Sequence, residues 1–237
     1  MVKPAWEIQF GPRFFIAVPT KGLVEPAWAV AFARLLRSVP PQHVIAFDSS
    51  PAVDMARNNL VEQFLGQPTC EWILWLDTDT VPPEDAIPKM MSKNLPIVSG
   101  LYRSRNVAFA TQEVWPVVAG RFARTMIDGR DSLSVQLVTG PWKPGEIIPV
   151  DAVGLGCCLI HRRVFEAIPP PWFDFTLRYR SFGKTHQEED WISEDWYFFK
   201  KVKEHGFPVF LDTTIECNHL TSVSITGTGR IESQVFK

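Results

Sequence analysis

Trp72-Ile73-Leu74-Trp75-Leu76 is followed at once by Asp77-Thr78-Asp79. An apolar run this short reads as a strand buried on both faces. It ends on two carboxylates one residue apart. If the strand continued through them, alternation would send both to the same side. Mg²⁺ and Mn²⁺ take hard oxygen ligands and usually keep waters or phosphate oxygens in their shell. One or two carboxylates plus a diphosphate would satisfy such an ion. An ordinary polar turn would give the same tripeptide, but the buried run before it favours the cation. The pattern points to an enzyme that uses a nucleotide sugar.

Upstream, Phe14 to Val18 is a buried strand stopped by Pro19. Pro26 to Ser38 is a helix with proline in its first turn and an apolar face of Ala29, Phe32, Ala33, Leu35 and Leu36. His43 to Phe47 is a second strand. A second helix runs from about Pro51 to Leu65, with Ser50 as N-cap and Gly66 as C-cap. Its face is Val53, Ala56, Leu60 and Phe64. Downstream of the acidic pair come a short helix containing Pro88 and a fourth strand, Ile97 to Ser99. Strands alternating with helices imply a parallel sheet covered on both faces, with ligands at the C-terminal strand ends.

From Tyr102 to Val150 the chain shows short apolar stretches, Pro and Gly, and reads as irregular strands and loops. Val153 to Ile160 is strand-like with two glycines, and Arg162 to Ala167 is a short helix. Arg178 to Trp191 is polar and charged, a candidate lid that would exclude water. Ser193 to His205 is a helix with Ser193 as N-cap and Gly206 at its end. Pro208 to Leu211 is a strand, and the tail from about Thr221 is expected to fray.

The chain has 237 residues, 46% of them hydrophobic, enough for the core of one α/β domain. A formal charge of −2 argues against wholesale nucleic-acid binding. Cys70, Cys157, Cys158 and Cys217 lack the paired spacing of a zinc site and suggest a reducing compartment. No stretch has the apolar length of a signal peptide or a bilayer span, so a cytoplasmic protein is expected.

Ala56-Arg57-Asn58-Asn59, the stretch from Glu71 to Ile87 (EWILWLDTDTVPPEDAI) and Ile97 to Arg105 (IVSGLYRSR) resemble the first half of a GT-A-fold glycosyltransferase of the family 2 type. The resemblance covers most of residues 14–220, and the middle matches poorly. It implies a single GT-A-like domain, a Rossmann-like, parallel-dominated mixed sheet flanked by helices. Residues of about 12–100 would form the donor half, about 101–220 the acceptor half, and 221–237 a tail. In that family a D-x-D signature holds Mn²⁺ or Mg²⁺ on the donor diphosphate, matched here by Asp77, Thr78 and Asp79. Arg57 matches an "ARN" element near the nucleotide. Pro19-Thr20 and Asp48 resemble the loops that cradle base and ribose. Ser193-Glu194-Asp195-Trp196 resembles the "ED" element, whose aspartate commonly serves as base towards the acceptor hydroxyl. Asp195 and Glu194 are thereby the catalytic candidates. His219 resembles a late histidine that completes the metal shell, and Gly154 and Gly156 resemble a glycine stretch beside the bound sugar.

Acids in a first helical turn are kept ionised by the helix dipole, which suits a base, though they also improve a helix start on their own account. Arg103 and Arg105 could meet phosphates. Trp115, Trp142 and Trp172 offer faces for sugar stacking or for the core. The expected reaction is metal-dependent transfer of a sugar from a nucleoside diphosphate to an acceptor hydroxyl, with inversion favoured and retention open. The acceptor could be a glycan, small molecule, protein or modified nucleic acid. Two rivals stand beside it. A sugar-phosphate nucleotidyltransferase would need a glycine-rich basic loop after the first strand, and Pro19-Thr20-Lys21-Gly22 is poor in both. A non-catalytic nucleotide-sugar-binding module would not need Glu194-Asp195.

Overall fold

The computed structural model describes residues 13–39, 43–104, 116–127, 130–143, 145–175, 193–221, 223–225 and 231–233. Arg105, Trp115 and the charged segment 178–191 lie outside the described residues, as does most of the tail. In chain order the first elements are β1 (Arg13–Pro19), α1 (Pro26–Leu35), β2 (His43–Asp48), α2 (Val53–Leu65), β3 (Cys70–Leu76), β4 (Thr80–Val81), α3 (Ala86–Ser92) and β5 (Ile97–Leu101). There follow β6 (Ala119–Ile127), β7 (Arg130–Leu137), β8 (Ile147–Val150), β9 (Ala152–Val153), β10 (Cys157–His161) and α4 (Arg162–Ala167). The last are α5 (Glu194–Glu204), β11 (Val209–Glu216), β12 (Asn218–His219), β13 (Val223–Ile225) and β14 (Ile231–Ser233).

Seven strands form the central sheet in the order β2-β1-β3-β10-β5-β11-β8. β1 pairs parallel with β2 and β3, and β5 with β11. β10 lies antiparallel between β3 and β5, and β8 antiparallel on β11. The sheet is therefore mixed, with parallel strands dominant and helices on both faces. The run in β3 is apolar throughout because each face has its own cover. Ile73 and Trp75 join a core with α2, α4 and α5. Trp72, Leu74 and Leu76 join a second core with α1 and α3. Burying each such side chain contributes ~1.5–3 kcal/mol, which fixes β3 in the middle of the sheet.

Several elements differ from expectation. The buried face of α1 is Trp28 and Leu35 with Phe32 packed beside them, while Ala29 and Ala33 are exposed. Trp28 turns the helix because its indole N–H donates to the Asp77 carbonyl at 2.9 Å. α2 starts at Val53 with Ala52 at the cap position. Ser50 belongs instead to a loop network with Asp48 and Asn59. Val153 to Ile160 is not one strand: β9 pairs with β6, β10 pairs with β3 and β5, and Gly154 to Gly156 crosses between. The middle of the chain holds a regular hairpin, with β6 and β7 paired residue for residue from Gly120–Leu137 to Ile127–Arg130. All four cysteines are free and buried. No helix among the described residues is long and apolar enough to cross a membrane.

Candidate functional site

The parallel strands β1, β3 and β5 end along one edge of the sheet, and the acidic pair stands there. β3 stops at Leu76. Asp77 to Thr80 then form a turn closed by the Thr80 N–H on the Asp77 carbonyl at 3.0 Å. The two aspartates consequently do not alternate as in a strand, and they face different partners.

Asp77 faces α2. Nη2 of Arg57 donates to both carboxylate oxygens of Asp77, at 3.1 Å each. Nε of the same guanidinium donates to Glu194 Oε1 at 3.3 Å, across 137 residues of sequence. Arg57 is 3% exposed, and its guanidinium lies over the rings of Trp75 and Phe173 at 5.4 and 6.0 Å. Burial alone would weaken its hold on the proton, but Asp77, Glu194 and Asp195 overcome this and keep it charged above its ordinary value. Burial pushes the Glu194 carboxyl up to about 7, and the neighbouring Asp195 adds to the rise while Arg57 opposes it. Burial also raises Asp195, against hydrogen bonds from Ser193 and the charge of Arg57. The two acids differ in access. Glu194 is 7% exposed, whereas Asp195 is half-buried. Asp195 Oδ1 accepts from the Ser193 hydroxyl and, at 2.9 Å, from the Trp196 N–H, so Ser193 caps through the acid and not directly.

Asp79 faces the returning chain. β12 pairs antiparallel with β4, placing His219 opposite Thr80, and the Leu220 N–H donates to the Asp79 carbonyl at 2.7 Å. His219 Nδ1 lies 2.8 Å from the Arg103 carbonyl, which only accepts. Nδ1 therefore carries a proton. In the neutral ring Nε2 then presents its lone pair 3.7 Å from Asp79 Oδ1. A proton or a metal ion between them would bridge two such acceptors. An imidazole oriented through its far nitrogen by a carbonyl is the arrangement metal-binding histidines use. Asp79 and His219 thus fit a divalent ion. Among the described residues no three His, Cys, Asp or Glu side chains converge as a metal-holding group.

The consecutive residues Arg57, Asn58 and Asn59 reach three different loops. Asn58 donates to the Phe173 carbonyl at 2.7 Å and accepts from the Trp172 and Phe173 N–H groups at 3.0 and 3.2 Å. Asn59 donates to Asp48 Oδ2 at 3.1 Å, and the Ser50 N–H donates to Oδ1 at 2.8 Å. Burial would raise Asp48, but these bonds lower it, so it stays ionised. The Thr20 N–H donates to the Asp48 carbonyl at 2.9 Å, joining the loops after Pro19 and Asp48.

Gly154 and Gly156 pack against protein. A β-carbon at Gly154 would lie 2.0 Å from the Tyr102 hydroxyl, and one at Gly156 would lie 2.3 Å from Thr80 Oγ1. The Gly156 N–H donates to the Tyr102 hydroxyl at 3.0 Å, and its carbonyl accepts from the Asp77 N–H at 3.1 Å. Tyr102 and Thr80 were not among the sequence candidates. Their only signal was the two glycines, which mark a close approach without naming what approaches. Trp172 is buried, with its indole N–H on the Phe165 and Ile168 carbonyls, so it anchors α4 and offers no face to a sugar. Trp142 is partly buried against the same core.

The fold is similar to that of the protein A197 from STIV, with a TM-score of 0.57, 17% identity and 96% of each chain covered. Two more solved chains align less closely. GalNAc-T7, crystallised with UDP, GalNAc and Mn²⁺, gives a TM-score of 0.49 at 11% identity, over 89% of this chain and 44% of that one. The inositol-1-phosphate CTP transferase from T. maritima gives 0.42 at 10% identity, over 89% and 90%. Likeness at such identities concerns the fold alone. No protein family model matches the chain. No curated protein matches it.

Proposed function

We propose that this chain is a GT-A-type glycosyltransferase that moves a sugar from a nucleoside diphosphate to an acceptor hydroxyl with inversion, using Mn²⁺ or Mg²⁺. The observation that carries this reading is the ion chain Asp77–Arg57–Glu194, which brings the half-buried Asp195 against the acidic end of β3. A carboxylate beside a donor-binding edge, partly open and with raised proton affinity, suits a general base. A purely structural helix start would not need a buried cation reaching it from another element.

In this reading the loops of Pro19-Thr20 and Asp48 receive the nucleoside, and Thr78 with the turn around it faces the diphosphate. Asp79 and His219 would hold the metal, whose charge would offset that developing on the leaving diphosphate. Asp195 takes the proton of the acceptor hydroxyl as its oxygen attacks the anomeric carbon. Glu194 serves as the anchor that keeps Asp195 in place. Gly154 and Gly156 act indirectly, by leaving room for Tyr102 and Thr80 beside the turn that carries Asp77. The experiment is release of nucleoside diphosphate from a panel of nucleotide sugars, with Mn²⁺ and with chelator, for wild type and Asp195→Asn. Metal-dependent release that persists at the wild-type rate in Asp195→Asn would remove Asp195 as base. No metal-dependent release from any donor would remove the transferase reading.

A further inference from the structure

Resemblance alone would put Arg57 in contact with the donor. Its contacts in the fold point elsewhere. We propose that Arg57 is a positioning residue, a clamp between the acidic end of β3 and the first turn of α5 that sets where Asp195 stands and does not touch the donor. The proposal rests on the reading of Asp195 as base.

Two of the three guanidinium nitrogens are already committed. Nη2 holds both oxygens of Asp77, and Nε holds Glu194. Trp75 and Phe173 lie against the planar group. Nη1, the remaining nitrogen, has no acceptor among the described residues, and it is buried, so it presents no exposed N–H to a donor phosphate. A donor phosphate could not take Nε or Nη2 without breaking one of these contacts. The two carboxylates belong to elements far apart in sequence, 20 and 137 residues from Arg57. Among the described residues Arg57 is the side chain that joins them. The rigid fork matters for this task. A lysine presents one ammonium on a flexible stem and could meet one carboxylate while releasing the other. Releasing Glu194 would free the turn that carries Asp195, and a base displaced by about 1 Å costs on the order of 10²-fold in rate.

The test compares Arg57→Lys, Glu194→Ala and the double variant with wild type. Glu194→Ala removes the acceptor of Arg57 Nε altogether, so it breaks the clamp from its other end. The first readout is hydrogen exchange over Ser193 to Phe199, which needs no substrate. Each loss of a charge-assisted contact should speed exchange there by about 10-fold or more, with β3 unchanged. The second is affinity for UDP and for GDP in the presence of Mn²⁺, which should stay within about 2-fold of wild type, well under the tenfold that one such contact is worth. The third is turnover, expected to fall on the order of 10²-fold, with the double variant no worse than Arg57→Lys alone.

Unchanged exchange in α5 would overturn the clamp. So would a loss of nucleotide affinity in Arg57→Lys that Glu194→Ala does not share, because that is the mark of a donor contact. If wild type binds neither nucleotide while exchange still rises in the variants, UDP and GDP are excluded as donor nucleotides and the clamp stands. Should Arg57→Lys not fold, Glu194→Ala alone decides the exchange test.

Discussion

Asp77 and Asp79 are two residues apart, yet one meets a buried guanidinium at 3.1 Å and the other a half-buried imidazole at 3.7 Å. The Arg57 corner is closed. Its cation is held inside the protein by Asp77 and Glu194, with aromatic rings over the guanidinium. The His219 corner is open. Its two facing groups are both acceptors when the imidazole is neutral, and under the proposed function a metal ion would stand between them. In that reading the closed pair positions and the open pair binds. The turn at Asp77 to Thr80 makes this division possible, because a continuing strand would have sent both carboxylates to the same side.

If the Arg57 corner is structural in this sense, emptying it should produce the largest effect. Arg57→Met leaves Asp77 and Glu194 without their cation, and breaking a buried pair in this way costs about 3–5 kcal/mol. Urea unfolding should show it, and a loss below about 1 kcal/mol would place the pair with weak surface contacts. Next comes the group the corner positions. Asp195→Asn should lower turnover on the order of 10²-fold, about 2.7 kcal/mol in the barrier, and leave nucleoside diphosphate affinity unchanged.

The open corner should respond in binding and not in stability. Asp79→Asn should weaken Mn²⁺-dependent binding of nucleoside diphosphate by at least about 10-fold, roughly 1.4 kcal/mol, with little change in unfolding. Calorimetric titration measures it. His219→Ala removes a neutral ligand and should cost less than Asp79→Asn. It should also flatten the fall in metal affinity as the solution is acidified, since protonation competes with the metal for Nε2. Equal slopes in wild type and His219→Ala would leave the open corner to Asp79 alone.

The smallest expected effect returns to the closed corner. Glu194 has its folded value raised to about 7 from an ordinary 4.5. The native state therefore binds this proton more tightly than the unfolded chain. The associated stability is fully present below about 4.5 and is lost as pH rises through about 7. Stability of wild type should decline across that window relative to Glu194→Gln. Parallel curves for the two proteins would show that Glu194 titrates normally.

Much of this site could be read along the chain where the signal is local. The apolar run before Asp77, the strands at Phe14 and His43, the helix Arg162–Ala167 and the acids opening α5 all declare themselves by periodicity, caps or composition. The corrections concern relations between distant segments. Trp28 rotated α1 through a bond to a carbonyl 49 residues on. β10 entered between β3 and β5 against the direction that strand–helix alternation suggests. Tyr102 filled the space that two glycines merely left open.

By itself, then, the sequence determined that a buried strand ends in two carboxylates and that a helix elsewhere begins with two more, because burial, strand length and helix starts depend on neighbouring residues. Only the tertiary structure decided that Arg57 binds Asp77 to Glu194, that Glu194 is the buried acid and Asp195 the half-open one, and that His219 returns to Asp79 through the β4–β12 pairing. The physical reason is that charge partnership is set by distance in space. Twenty residues of chain separate Arg57 from one partner and 137 from the other, yet the fold brings both within 3.3 Å of a single guanidinium.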